Sequence, residues 1–315
     1  NDGNTPRTYV LRAAESTESL WTVAYKSGST DISSAIRGTG GYTTPTLARG
    51  ESHTITVEVG PDAAVPGGSA KSVTVSTYLT MADTTPLDAV QAQTTVDVVA
   101  QPDLLVKAGA EFDSAFAANN VYQTEPSGDQ LESATGTPTQ PGIFAVRLQN
   151  DGNTPRTYVL RATESEDSGW TVAYTTATAD IGAAIRAPEG FTTVQLTPGD
   201  VQTVIVQITP QKAVTGGSTK RVTLKAYLDA AGEVRDAVQL TCSAGVARQA
   251  DLLIKAAGED ESAFGANDVY QTSPSLEQVE PISVGSGTAA SYSIRVQNDG
   301  NTAVTGFILK AEESS

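Results

Sequence analysis

A chain that performs nucleophilic or acid–base chemistry needs a nucleophile, a base and a group that orients the base. This sequence of 315 residues holds one histidine, His53, and one cysteine, Cys242. His53 stands among Glu51, Ser52 and Thr54 at the edge of an expected strand, and no oriented partner is implied beside it. Cys242 sits in an alternating apolar stretch, where a thiol packs as a small hydrophobe. Neither forms a catalytic constellation, so the sequence reads as that of a non-enzyme.

Hard-cation binding is the sharper chemistry. Calcium takes oxygen donors from Asp and Asn side chains and from turn carbonyls. Asp151 and Asn153 in the run Asn150-Asp151-Gly152-Asn153 are candidate ligands, as are Asp260 in the acidic run Glu259–Glu261 and Asp268, with Asp113 beside them in type. No EF-hand or nonapeptide spacing is present, and turn chemistry or solvated charge accounts for the same residues. No other cofactor is indicated. Trp170 and its twin Trp21 alternate with Val and Tyr, which suits either a glycan-stacking platform or a sheet–sheet core. Tyr122 and Tyr270 complete the interaction candidates. Lys107 and Lys255 are placed for an intramolecular isopeptide bond by position alone.

The elements that must position these residues are repeated. Asn1-Asp2-Gly3-Asn4-Thr5 recurs at Asn150 and again at Asn298, offsets of 149 and 148. Trp21-Thr22-Val23-Ala24-Tyr25 recurs at Trp170, Gly67-Gly68-Ser69 at Gly216, Asp88-Ala89-Val90 at Asp236, and Asp103-Leu104-Leu105-Val106-Lys107 at Asp251. Many apolar differences between copies are Val/Ile/Leu or Tyr/Phe exchanges, which keep core volume. A period of about 149 residues fits a whole domain per repeat. The expected division is a partial repeat at 1–99, a complete one at 100–248 and a partial one at 249–315. Starting in mid-repeat without Met, the chain reads as a piece of a longer polypeptide.

Within each repeat, short alternating stretches are separated by Gly, Pro, Asn and Asp, with no sustained helical period. That predicts an all-β fold of tandem immunoglobulin-like antiparallel β-sandwiches. Phe144–Leu148 and Tyr292–Val296 each run into Asn-Asp-Gly-Asn, which reads as a strand entering a tight hairpin turn that needs positive φ. Asp31–Arg37 suits either one helical turn or a loop. A formal net charge of −16 argues against nucleic acid as a partner. A lone cysteine excludes a disulfide framework, and no apolar run reaches the ~20 residues of a membrane helix.

The phrase Val296-x-Asn298-x-Gly300-Asn301, downstream of Asp251-Leu252-Leu253-Ile254, resembles the bacterial and archaeal immunoglobulin-like adhesion modules of the CARDB type. Gly169–Val172 and the turn Leu196-Thr197-Pro198-Gly199 are similar to related modules found on cell-surface proteins and beside secreted glycosidases. The segment from about Ala108 to Gln140 departs from both patterns. The resemblance implies an extracellular, non-catalytic module. Two readings follow. One is a structural or adhesive part of a surface stalk, sheath or filament, self-associating or binding other surface proteins, with completion between copies by strand addition as a variant. The other is a carbohydrate- or calcium-binding accessory module of a larger secreted enzyme.

Overall fold

A computed structural model of the chain describes residues 1–275 and 278–312. The first stretch contains β1 (Val10–Glu15), β2 (Trp21–Ser27), β3 (Thr30–Asp31), α1 (Ser33–Arg37), β4 (Tyr42–Thr43), β5 (Thr56–Pro61), β6 (Ala70–Tyr78) and β7 (Asp88–Thr95). Then come β8 (Pro102–Ala108), β9 (Leu131–Gly136) and β10 (Gly142–Asn150). The opening order recurs, with an isolated bridge between Thr175 and Asp180 in place of β3, as β11 (Val159–Glu164), β12 (Trp170–Thr175), α2 (Gly182–Arg186), β13 (Phe191–Thr192), β14 (Val201–Pro210), β15 (Thr219–Tyr227) and β16 (Val234–Ala244). The described chain closes with β17 (Ala250–Ala256) and β18 (Tyr292–Asn298). The protein is all-β, and among the described residues no helix is long and apolar enough to cross a membrane.

Two compact units are present. One comprises Asn1–Pro102, Asn150–Thr157 and Gln195–Asp200; the other comprises Asp103–Gln149, Tyr158–Val194 and Val201–Ser315. The first holds the sheets β4-β1-β6-β7 and β3-β2-β5. Tyr25, Ile32, Ile36 and Val73 form its core, with Leu11, Val23, Val57 and Val75 packed around them. The second unit holds β12-β14-β10-β8, β13-β11-β15-β16-β9 and the pair β17-β18. Strand alternation sets its core. Phe144 and Leu148 of β10 and Val204, Val206 and Ile208 of β14 are fully buried, as are Leu224 of β15 and Leu240 of β16. β10 and β12 pair antiparallel with β14, and β13, β11, β15 and β16 pair antiparallel in turn, whereas β16 and β9 run parallel.

Two expectations are resolved here. Asp31–Arg37 does contain a helical turn. Asp31 Oδ1 accepts the Ser33 N–H at 2.7 Å, and Asp180 Oδ1 accepts that of Gly182 at 2.7 Å, so an acid restrains the entry to each helix. The hairpin expected at Asn-Asp-Gly-Asn is corrected. β10 and β11 belong to different sheets, so the turn carries the chain from one sheet to the other. None of its residues has positive φ. The glycine serves a different need, described below.

A side-chain lock tightens each helix against its sheet. Tyr174 is wholly buried and donates to Glu164 at 3.0 Å. Arg186 bonds Glu164 at 2.7 Å, covers the Tyr174 ring at 4.7 Å and reaches the Val172 carbonyl at 2.5 Å. Tyr25, Glu15 and Arg37 repeat the arrangement. Burial, then the Glu164 carboxylate, holds the Tyr174 phenol well above its ordinary pKa, so it remains a donor. Tyr174→Phe removes a hydrogen bond to a charged acceptor, and urea unfolding is expected to show a loss of about 1.5–3 kcal/mol.

Candidate functional site

The residues that gather into a site are those of the repeated turn. Asn150 ends β10 and folds its amide back, donating to the Thr154 and Leu196 carbonyls at 2.9 Å each, while its Oδ1 accepts the Gly152 N–H at 3.0 Å. That self-capped turn presents Asn153 to the linker between β7 and β8. The Asn153 amide group accepts from Val99 N–H at 2.8 Å and donates to the Asp97 carbonyl at 2.9 Å. Its backbone N–H reaches the Val99 carbonyl at 3.1 Å, its carbonyl accepts from Gly67 at 3.0 Å, and Asp151 N–H binds the Gln101 carbonyl at 2.8 Å. An Asn amide carries donor and acceptor side by side, so it pairs with a passing backbone as a strand would.

The same five bonds recur at the next linker. Asn301 accepts from Ala247 N–H at 2.7 Å and donates to the Gly245 carbonyl at 2.7 Å. Asn301 N–H reaches Ala247, Gly216 N–H reaches Asn301, and Asp299 N–H reaches Gln249, at 3.1, 2.8 and 2.9 Å. Each clasp lies within one of the two units. The turn glycine is required for close approach. A Cβ on Gly152 would stand 2.5 Å from the Val99 carbonyl oxygen, and one on Gly300 2.4 Å from that of Ala247. At Gly3 the nearest such atom is the turn's own Asn1 Oδ1 at 2.9 Å.

A second feature lies where β8 meets β16. Asp236 is wholly buried. Its Oδ2 accepts the Leu104 N–H at 2.5 Å, and its Oδ1 accepts from Gln123 N, Gln130 Nε2 and Ala237 N at 3.1, 2.6 and 2.8 Å. Burial pushes its pKa up to about 6 against the pull of those donors. The carboxylate thus stitches the segment 104–130 onto β16. Its twin Asp88 is exposed and accepts the Ala89 N–H at 2.8 Å.

The cation candidates take structural places. The Asn153 side chain is occupied by the linker. Asp260 precedes a short 3₁₀ turn, Glu261–Ala263, and its carbonyl accepts from Ala263 at 3.0 Å. Asp268 adopts φ of 63°, a conformation Asn and Asp tolerate, and its N–H binds Asp251 Oδ2 at 2.9 Å. Asp113 pairs with Arg147 at 2.7 Å. Among the described residues, no three His, Cys, Asp or Glu side chains converge as a metal site would require. Of the aromatic candidates, Tyr122 and Tyr270 are exposed and bond Asn120 and Asp268, each at 3.1 Å. Trp170 is half-buried at the rim of an open polar hollow of about 600 Å³ that Glu166, Asp167 and Ser168 also line. Lys107 and Lys255 are buried and donate at 2.5 Å to the carbonyls of Glu111 and Glu259.

His53 does have neighbours that the sequence did not reveal. Its Nε2 lies 3.0 Å from Ser27 Oγ and 3.2 Å from the Tyr42 hydroxyl. Among the described residues no carboxylate bonds the ring, and the corresponding residues of the next copy are Thr176, Phe191 and Gln202. Cys242 is wholly buried, and burial raises its thiol pKa. Sequence reasoning missed the linker clasp, the Asp236 anchor and the Tyr–Glu–Arg lock. Recurrence of Glu15 and Arg37 at Glu164 and Arg186, 149 residues on, was the available signal.

No family model matches the chain, and no curated protein matches it. Among solved structures, it is similar to domains 4 and 5 of the S-layer protein SbsC, at 11% identity, covering 64% of this chain and 89% of that one, with a TM-score of 0.24. It is also similar to CfaE, the adhesive subunit of the CFA/I fimbria of enterotoxigenic Escherichia coli, at 10% identity, 72% and 73% coverage and a TM-score of 0.33. The CupB6 tip adhesin from Pseudomonas aeruginosa gives 8% identity, 77% and 87% coverage and a TM-score of 0.33. Likenesses this faint leave the function to be argued from the chain's own geometry.

Asp236 provides a test of the anchor. Its folded pKa lies above the unfolded value, so its contribution to stability is full below about pH 4 and is lost as pH rises through about 6. The Asp236 carboxyl ¹³C signal is expected to titrate near 6. Between pH 5 and 7 the wild type should lose about 1 kcal/mol relative to Asp236→Asn, which lacks this titration.

Proposed function

We infer that this chain is part of an extracellular, non-catalytic repeat protein with a structural or adhesive role, such as a surface stalk, sheath or filament. The CARDB-like, immunoglobulin-type repeat is the module this reading builds on. The observation that carries it is the pair of clasps. The most conspicuous repeated phrase in the sequence is spent on pinning a linker to the repeat that follows it, with the same bonds each time. Repetition then supplies length, and weak contacts along such an array add through multivalency. The acidic surface keeps the chain soluble.

Immunogold electron microscopy of the producing cells tests this reading. Label on surface appendages, or on a sheath with an axial period, is the expected result; label confined to the cytoplasm would overturn it. The clasp has its own check. Asn153→Ala and Asn301→Ala each remove two side-chain bonds to a linker, and a cost of about 1–2 kcal/mol is expected. Hydrogen exchange should show lost protection at Val99 in the first variant and at Ala247 in the second.

A second reading rests on Trp170. A half-exposed indole beside two carboxylates and a serine, in a hollow of about 600 Å³, has the make-up of a sugar-binding surface. On this reading the chain is an accessory module beside an enzyme. Titration with soluble oligosaccharides should then shift Trp fluorescence, and Trp170→Ala should abolish binding. No shift at millimolar sugar would remove this alternative.

A further inference from the structure

Every Asp-Gly pair in the chain lies in the repeated turn: Asp2-Gly3, Asp151-Gly152 and Asp299-Gly300. The pair carries a chemistry of its own. Glycine has no Cβ to shield its backbone nitrogen, which can therefore reach the carboxyl carbon of a preceding aspartate. Bond formation between that nitrogen and that carbon expels water and closes a five-membered succinimide. Water then reopens the ring. Cleavage at the side-chain carbonyl restores aspartate, whereas cleavage at the main-chain carbonyl leaves isoaspartate, with one extra methylene in the backbone.

In both clasps the glycine nitrogen is engaged. Gly152 is buried and its N–H is held by Asn150 Oδ1 at 3.0 Å, and the Gly300 N–H is held by Asn298 Oδ1 at 3.1 Å. Asp151 N–H on the Gln101 carbonyl and Asn153 N–H on the Val99 carbonyl fix the chain on either side. The Val99 carbonyl oxygen closes over Gly152 so nearly that not even a Cβ would fit. At the second joint the carboxylate is restrained as well, for Asp299 accepts from the Tyr270 hydroxyl at 2.8 Å and from Gln297 Nε2 at 2.7 Å. Ring closure needs these restraints to give way. The nitrogen must leave its acceptor, and the turn must have room to rotate about the aspartate.

We propose that Asp151 and Asp299 are isoaspartate-forming sites, kept silent by the closed clasps and released when a joint opens. This modification is independent of the surface role and would follow from the clasp in any setting. Water is the one co-reactant, lost when the ring closes and regained when it opens. An added methylene ahead of Gly152 displaces Asn153, whose amide meets the Asp97 carbonyl and the Val99 N–H through a donor and an acceptor at fixed spacing. A joint that has isomerised therefore cannot close again in the same register. Its opening is recorded in the backbone.

Isoaspartate mapping by peptide mass spectrometry, on the 315-residue chain aged at neutral pH in ¹⁸O-labelled water, tests this. Each ring opening adds one labelled oxygen, so the two sites are counted separately. In the folded wild type, Asp151 and Asp299 should isomerise at least ~10-fold more slowly than in the same chain held in urea, because the reaction must wait for a local opening. Asn153→Ala should raise isoaspartate ~5–30-fold at Asp151 and leave Asp299 unchanged, the shift in open population that two lost hydrogen bonds give. Asn301→Ala should do the reverse. Isomerisation at Asp151 that a folded Asn153→Ala chain does not accelerate overturns the proposal. Should either variant unfold outright and raise both sites, the wild type decides alone: slow folded and fast unfolded isomerisation supports the proposal, and equal rates overturn it. Wild-type chains enriched in isoaspartate at Asp151 should also have lost hydrogen-exchange protection at Val99, and full protection there would refute the failure to reclose.

Discussion

Backbone groups that leave water must find partners, and in this protein one asparagine amide meets that demand wherever the chain passes from repeat to repeat. The linker cannot form a sheet ladder, because it has left β7 and has not yet joined β8. Asn153 supplies a donor and an acceptor at the spacing of a strand, and Gly152 lets the linker come close enough to use them. Without that contact, the Asp97 and Val99 backbone groups would lose the partners described above.

Asp236 plays a comparable part inside the repeat. Four donors converge on one buried carboxylate, drawing the irregular segment 104–130 over the end of β16. The cost of burying the charge appears as its raised pKa, and the gain is a closed core in which Val238 and Leu240 are dry.

Much of the fold was legible because strand alternation is a local signal. Val204, Val206 and Ile208 announce an inward face, and the structure buries all three. The recurrence of Trp21 at Trp170 and of Lys71 at Lys220 is matched by strands at both places, β2 with β12 and β6 with β15. The turn was misread for a physical reason. Asn-Asp-Gly-Asn matches hairpin chemistry locally, yet its glycine answers a steric demand from a linker some fifty residues earlier in the chain, which no window of sequence contains. The partners of His53 were hidden likewise. Ser27 and Tyr42 are distant in sequence and are brought to it by the pairing of β2 with β5 and of β4 with β1. Parallel pairing of β9 with β16 was equally invisible, since a strand's pattern does not say which way its neighbour runs.

The clasp bonds described above reach the linker's backbone: the carbonyls of Asp97, Val99 and Gln101 and the N–H of Val99. The corresponding stretch at the second joint, Gly245-Val246-Ala247-Arg248-Gln249, differs from Asp97-Val98-Val99-Ala100-Gln101 at three of its five residues, and the bonds are unchanged. The turn side of the coupling repeats residue for residue, while the linker side tolerates three changes in five. A gene duplication that appends a repeat therefore arrives with a working connector and needs no matching change in its neighbour. Arrays of this kind can lengthen or shorten in one genetic step while their surfaces diverge freely.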